Sequence, residues 1–158
     1  MPQGMTLATT TKAVIAAIVA DVTTAWNPAS QIHLDPPEMQ KDGQGQPQPA
    51  LPVAYVLLTG TEPNEEESTL TTEAFDLSFE LVLRAKKPGR GEGSVSERKR
   101  ALVEALRVRL TKGANYHGLN REWGGETYLD DDVRGQEANA IWCQVGCRFV
   151  VTVETAAR

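Results

Sequence analysis

A glycine-rich segment stands where phosphate-binding loops are found, between a strand-like and a helix-like stretch. It reads Gly89-x-Gly91-x-Gly93-Ser94, and backbone N–H groups in such a turn can face an anion. The spacing matches neither the dinucleotide pattern nor the P-loop pattern, and no Lys-Ser/Thr pair ends it. The preceding stretch is amphipathic, whereas the strands of nucleotide-binding sheets are apolar on both faces. The pattern favours a flexible turn, with a small phosphate-ligand-binding enzyme using loop 86–94 as the alternative.

The histidines and cysteines do not form a catalytic or metal-binding pattern. His33 lies in a proline-rich segment and His117 in a Gly/Asn-rich one, and we predict both to be surface residues. No Gly-x-Ser-x-Gly elbow is present. Cys143 and Cys147 are four residues apart in a strand-like run, where their Cα atoms would be about 13 Å apart, beyond the limit of about 7 Å for a disulfide. We predict buried reduced thiols, no zinc site, no cofactor and no enzymatic activity.

Two acidic runs, Glu65–Glu67 and Asp130–Asp132, are the remaining candidates for chemistry. Neither has the alternating ligands and central glycine of a calcium loop. Their composition favours solvated acidic loops, and no metal-binding residue is predicted.

The elements that would position these residues begin with a helix from about Leu7 to Trp26. Its apolar residues recur at three- and four-residue spacing, and Asn27-Pro28 ends it because the residue before proline resists the α region. Residues 27–52 are rich in proline and glutamine. They predict either a flexible linker or an arm that lies on a neighbouring chain.

Three further segments carry clear periodicity. A short strand over Val53–Thr59 and a loop over Gly60–Thr69 precede a strand over Phe75–Arg84, whose alternation puts the large apolar groups on one face and a mostly polar face opposite. Ser94 and Glu97 form a capping box for a helix that ends near Leu110. After a weak strand near Thr127–Leu129, Ile141–Val153 forms a long final strand with an expected bulge or bend at Gly146.

Length and composition fit one domain. The 158 residues are 41% hydrophobic and 23% charged, which is typical of a globular chain. We predict a single α+β domain over residues 1–158 with a largely antiparallel sheet of about four strands and two helices on one face. The strongest apolar run, Ala13–Ala20, is shorter than the roughly 20 residues that span a bilayer. We therefore expect no membrane contact, and a chain that is intracellular or delivered into a particle without secretion.

Charge is unevenly placed along the chain. Residues 84–109 hold nine basic and three acidic residues, a net of +6, whereas the rest carries −11. Such a two-signed surface can steer unlike faces of neighbouring copies together, although both clusters could also be solvated loops. The basic stretch has no interleaved aromatic residues and the sequence pI is about 5.1, which argues against sequence-specific nucleic-acid binding.

The layout resembles the tail terminator (tail completion) proteins of long-tailed bacteriophages. The likeness rests on the amphipathic N-terminal helix, the hairpin that ends in Phe75–Arg84, the helix Ser94–Leu110 after a basic loop, and the closing strand Ile141–Val153. It covers most of the chain and is one of layout, size and texture, without a diagnostic short motif.

The resemblance implies a structural virion protein of the tail or neck, assembled in the host cytoplasm. Copies would form a ring, as a hexamer in that family, which caps the tail tube, ends its elongation and offers an interface to the head–tail connector. DNA would only pass through the lumen. Acidic residues would then suit the lumen wall (Glu65, Glu66, Glu67, Asp130, Asp131 and Asp132), since like charges repel phosphate. The basic residues Lys86, Lys87 and Arg90 would contact an acidic neighbour, either a subunit or the tube. A head-completion or neck protein is the alternative within this class.

Overall fold

The chain forms one sheet of four long strands and one short strand, with two helices on one face. The computed structural model describes residues 6–28, 32–35, 51–110, 122–129 and 140–154, with the backbone alone for 122–129. In chain order the elements are α1 (Leu7–Trp26), β1 (Ile32–His33), β2 (Val53–Asn64), β3 (Thr72–Lys86), α2 (Val95–Arg109), β4 (Glu122–Leu129) and β5 (Ala140–Glu154). The spatial order is β1-β2-β3-β5-β4, antiparallel except for the β1–β2 pair. The predicted α+β class is confirmed.

Helix α1 has the predicted bounds. The Thr6 hydroxyl caps its first turn by accepting a hydrogen bond from the Thr9 N–H. Asn27 ends it in the left-handed conformation at φ 46°, and its N–H donates to the Thr23 carbonyl. By length and composition α1 could cross a membrane. The sequence prediction considered only the run Ala13–Ala20 and so understated the length of this apolar helix. Because its apolar face packs on the sheet, we interpret it as a core helix.

The β2–β3 hairpin is longer than its sequence suggested. The loop predicted from Gly60 is wrong at its start, because β2 continues to Asn64 and Glu62 pairs with Asp76 inside the ladder. A register shift between Leu58 and Gly60 marks a β-bulge. The exposed outer half of β2 lacks the alternation of apolar and polar residues that predicts a strand. Its backbone nevertheless pairs with β3, whatever the side-chain type.

Strand β5 runs through the sheet between β3 and β4. Its register with β3 is continuous from Ala140 to Glu154, and Gly146 pairs with Glu80 and Thr127 without a shift. The prediction of a bulge at Gly146 is therefore wrong, and the alternative, a bend there, stays a prediction. Hydrogen bonding along both edges holds an inner strand in register, and the irregularities lie instead in β2 and in β4, between Trp123 and Gly125.

Both helices pack on the same sheet face, as predicted, and make the main core. From β3 it takes Leu77, Phe79, Leu81 and Leu83, the alternation seen in the sequence, and Phe75 packs against it partly buried. Strand β5 contributes the following residues: Ile141, Cys143, Val145, Cys147, Phe149 and Val151. The two cysteines are buried thiols without a disulfide, which confirms that prediction.

The opposite face was predicted to be mostly polar, and this is wrong at one end of the sheet. A second apolar cluster there consists of Val53, Tyr55, Leu57, Val82 and Trp142. Arg84, taken from the sequence as part of a basic surface, is only 7% exposed, and its guanidinium lies 5.8 Å from the centre of the Trp142 ring. His33 lies in the unpredicted strand β1, with its ring 5.6 Å from that of Tyr55, so the residue predicted at the surface is only partly exposed.

Candidate assembly surfaces

The loop between β3 and α2 presents a basic surface at one end of the sheet. Lys86, Lys87 and Arg90 are all exposed there. Gly91 and Gly93 turn the chain with φ of 83° and 95°, values that residues with a Cβ rarely adopt. The Ser94 hydroxyl then accepts from the Glu97 N–H at 3.1 Å, which confirms the predicted N-cap of α2.

The same loop is poorly suited to phosphate. The Gly89 N–H, which an anion would need, already donates to the Glu92 carboxylate at 2.7 Å. A second carboxylate, that of Glu97, lies so close to Gly93 that an added Cβ would be 2.6 Å from its oxygen. Two negative charges within the turn would repel a phosphate group. This geometry disfavours the phosphate-ligand alternative.

Helix α2 continues the basic surface. Its Leu102 and Leu106, followed by Leu110, face the core, while Arg98, Arg100 and Arg109 are exposed. Arg107 donates from Nε to Glu104 at 2.8 Å and forms an exposed ion pair with it. The hydrogen bond from Arg107 lowers the pKa of Glu104. Eight basic and three acidic residues lie between Lys86 and Arg109, a net charge of +5.

The hairpin β2–β3 carries the opposite charge. Residues 53–83 include seven acidic residues and no basic residue. The turn joining the strands exposes Glu65, Glu66 and Glu67, and beside them Leu70 is 100% exposed. The other acidic run, Asp130–Asp132, lies outside the described residues.

Side-chain hydrogen bonds hold this turn in one shape. The Asn64 side chain accepts from the Glu67 N–H and donates to Asp76 at 3.1 Å. Ser68 Oγ donates to the Asn64 carbonyl at 2.7 Å and accepts from the Ala74 N–H. Thr69 Oγ1 accepts from the Thr72 N–H at 3.0 Å. The acidic groups are therefore carried on an ordered tip.

The acidic tip and the basic surface lie at opposite ends of the sheet. Strand β3 joins them directly, since the tip precedes Thr72 and the basic loop begins at Lys86. At a rise of about 3.3 Å per residue, this strand separates the acidic tip from the basic loop by roughly 45 Å. Over that distance in physiological salt they do not neutralise each other, so each is available to a separate partner.

The outer edge of β2 is shielded against simple strand addition. Among the described residues, β1 covers it only at Ala54 and Tyr55. Beyond that point the strand carries the bulge near Leu58, then Glu62 and Pro63. Bulges, charges and proline are devices by which edge strands avoid pairing with other chains. Contacts through side chains at the ends of the sheet are thus favoured over a continuous intermolecular sheet.

Within the described ranges, no three His, Cys, Asp or Glu side chains come together as a metal site would require. Both thiols are buried in the core, and His33 lies against Tyr55. His117 lies outside the described residues. In the described part of the chain, acidic and basic residues occupy separate regions of the surface, and reactive side chains do not converge. The sequence predicted both charge clusters, but only the strand register shows that they lie at opposite ends of the sheet.

Comparison with known proteins adds only a likeness of shape to this α+β fold. No protein-family model matches the chain, and no curated protein matches it. Among solved structures, a chain from "Virion of native gene transfer agent (GTA) particle" is similar over 90% of this chain and 95% of that chain, with a TM-score of 0.46 and 15% sequence identity. A likeness at this level says nothing about function.

Proposed function

We propose that this protein is a structural virion subunit of the tail-terminator class, forming a ring that caps a phage tail tube and ends its elongation. The observation that carries the proposal is the placement of oppositely charged exposed surfaces at the two ends of one sheet. A subunit with two unlike ends is suited to head-to-tail contacts, which generate rings when the rotation closes. The resemblance in layout to tail terminators supports the same conclusion.

The proposed partners come from the resemblance to tail terminators, and the charged surfaces support them. Copies of the chain form the ring, a hexamer in the proposal, with the tail tube on one side and the head–tail connector on the other. The basic residues Lys86, Lys87 and Arg90 contact an acidic neighbour, either a subunit or the tube. Acidic residues, from Glu65–Glu67 or Asp130–Asp132, line the lumen and keep passing DNA from adhering. No catalytic step is assigned to any residue, and the protein acts in the virion.

Negative-stain microscopy combined with native mass measurement tests this proposal on the full chain, alone and with purified tail tubes. We expect rings of about six copies of the 17.2 kDa chain, seated at one end of each tube. A chain that stays monomeric alone and leaves tubes undecorated would overturn the proposal. Rings that bind a portal or connector but not tubes would favour the head-completion alternative.

The phosphate-ligand alternative has its own test. A thermal-shift series with nucleotides and inorganic phosphate should leave the melting temperature unchanged, because Glu92 and Glu97 occupy the glycine turn. A ligand at 100 times its dissociation constant would stabilise the fold by about 2.7 kcal/mol. A shift of that size, lost on replacing the turn, would favour the enzyme instead.

A further inference from the structure

We propose that the basic end of one subunit is the docking surface for the acidic hairpin tip of the next copy. This inference rests on the proposed ring and deepens it by naming the partner of each surface. It assigns Glu65–Glu67 to a contact with a neighbouring subunit rather than to the lumen.

Charge identifies the occupant of the basic surface. That surface combines the exposed loop residues Lys86, Lys87 and Arg90 with the start of α2, where Arg98 and Arg100 are exposed. It needs a compact acidic partner. The hairpin supplies one, with three consecutive glutamates on an ordered turn and no basic residue from position 53 to 83. Complementary potentials of this kind set register and accelerate encounter.

Geometry identifies the occupant as a second copy. The acidic tip and the basic loop belong to the same chain but lie roughly 45 Å apart along β3, so they cannot meet within one molecule. A contact between unlike surfaces of identical subunits is heterologous and leaves one surface of each kind open after every addition. Growth then continues until a ring closes.

The tip also carries an apolar group suited to a contact. Leu70 is 100% exposed beside the glutamates. An apolar centre with a charged rim is the usual anatomy of a protein interface. Because hydrogen bonds already order the turn, docking would cost little conformational freedom.

Reciprocal charge reversal tests the inference. The tip variant is E65K/E66K/E67K and the base variant is K86E/K87E/R90E, each in the full chain. Either alone places like charges against each other, so the concentration needed for half-maximal assembly should rise about tenfold or more. A one-to-one mixture of the two variants should assemble again, since each reversed surface then meets its complement. The variant that carries all six substitutions should also assemble. Sedimentation velocity at low salt reads out all four samples.

Controls separate this inference from the proposed function. K12E reverses an exposed charge on α1, outside both surfaces, and should assemble like the unmodified chain. Far-UV circular dichroism and thermal melting establish that each variant folds, and E65Q/E66Q/E67Q gives a milder form of the tip variant if the reversal unfolds it. Rings that form with either reversed surface overturn the inference while leaving the proposed ring intact. Variants that fail alone and also fail in the mixture overturn the pairing of these two surfaces. An unmodified chain that forms no ring, alone or on tubes, overturns both.

Discussion

The contribution of a single residue to stability depends on how far its side chain is buried, and two leucines show this contrast. Leu77 is 0% exposed in the main core, whereas Leu70 is 100% exposed at the hairpin tip. We predict that L77A lowers the free energy of unfolding by about 2–5 kcal/mol, through lost burial and a residual cavity. L70A removes the same atoms, but these contact only solvent, so the free energy of unfolding should change by less than about 0.5 kcal/mol. Chemical denaturation of both variants measures the difference, and equal losses would show that the tip is packed.

The two described buried tryptophans form a second matched pair. Trp26 and Trp142 are each 6% exposed. The Trp26 indole N–H donates to the Leu102 carbonyl at 2.6 Å and so ties α1 to α2, whereas the Trp142 N–H has no hydrogen-bond partner among the described residues. Trp→Phe removes a similar volume at both sites. We predict that W26F destabilises the fold by about 1 kcal/mol more than W142F, because only W26F breaks a buried hydrogen bond.

The same denaturation experiment reads out this pair. Loss of the Arg84 contact works against the prediction, since a guanidinium over Phe is bound less well than one over Trp. A larger loss for W142F than for W26F would therefore mean that this contact outweighs the hydrogen bond.

At the scale of elements, the cap of α2 links the basic loop to the helix. Ser94 accepts from the Glu97 N–H at its start. We predict that S94A costs about 1 kcal/mol of stability, as N-cap deletions do. S96A, an exposed position inside the first turn, should cost only a few tenths of that. Thermal melts of the two variants settle it, and an equal effect would show that the cap is not needed to start the helix.

The spacing of apolar residues predicted the helices and the long strands well, because neighbouring residues in the chain determine these elements. The three- and four-residue spacing of Ile15, Ile18, Val19, Val22 and Trp26 predicted α1, although Ile15 and Val19 are only partly buried, and period-two alternation predicted the core faces of β3 and β5. The second face could not be found in this way. Tyr55, Val82 and Trp142 come from three strands, and only the cross-strand register brings them together. Strand β1 is two residues long and pairs because β2 offers an edge, so it leaves no periodic signal.

The candidate assembly surfaces were predicted in part for the same reason. The sequence shows which runs are acidic and which are basic, and it correctly exposes Lys86, Lys87 and Arg90. It also counted Arg84 in the basic run, although that side chain lies over Trp142, against the second apolar cluster. That the acidic and basic runs lie at opposite ends follows from the uninterrupted length of β3, which the sequence understated at both ends.

For the whole molecule, the arrangement of charge makes assembly sensitive to ionic strength in a particular way. The screening length falls from about 10 Å at 0.1 M salt to about 3 Å at 1 M. We predict that raising NaCl over this range dissociates rings of the isolated chain and slows association more than it speeds dissociation, because steering is lost first. Stability of the subunit should hardly change, since its cores are apolar. Stopped-flow light scattering gives the two rates, and thermal melting gives the stability. Assembly that strengthens with salt would instead mean that apolar surface, not the paired ends of the sheet, holds the copies together.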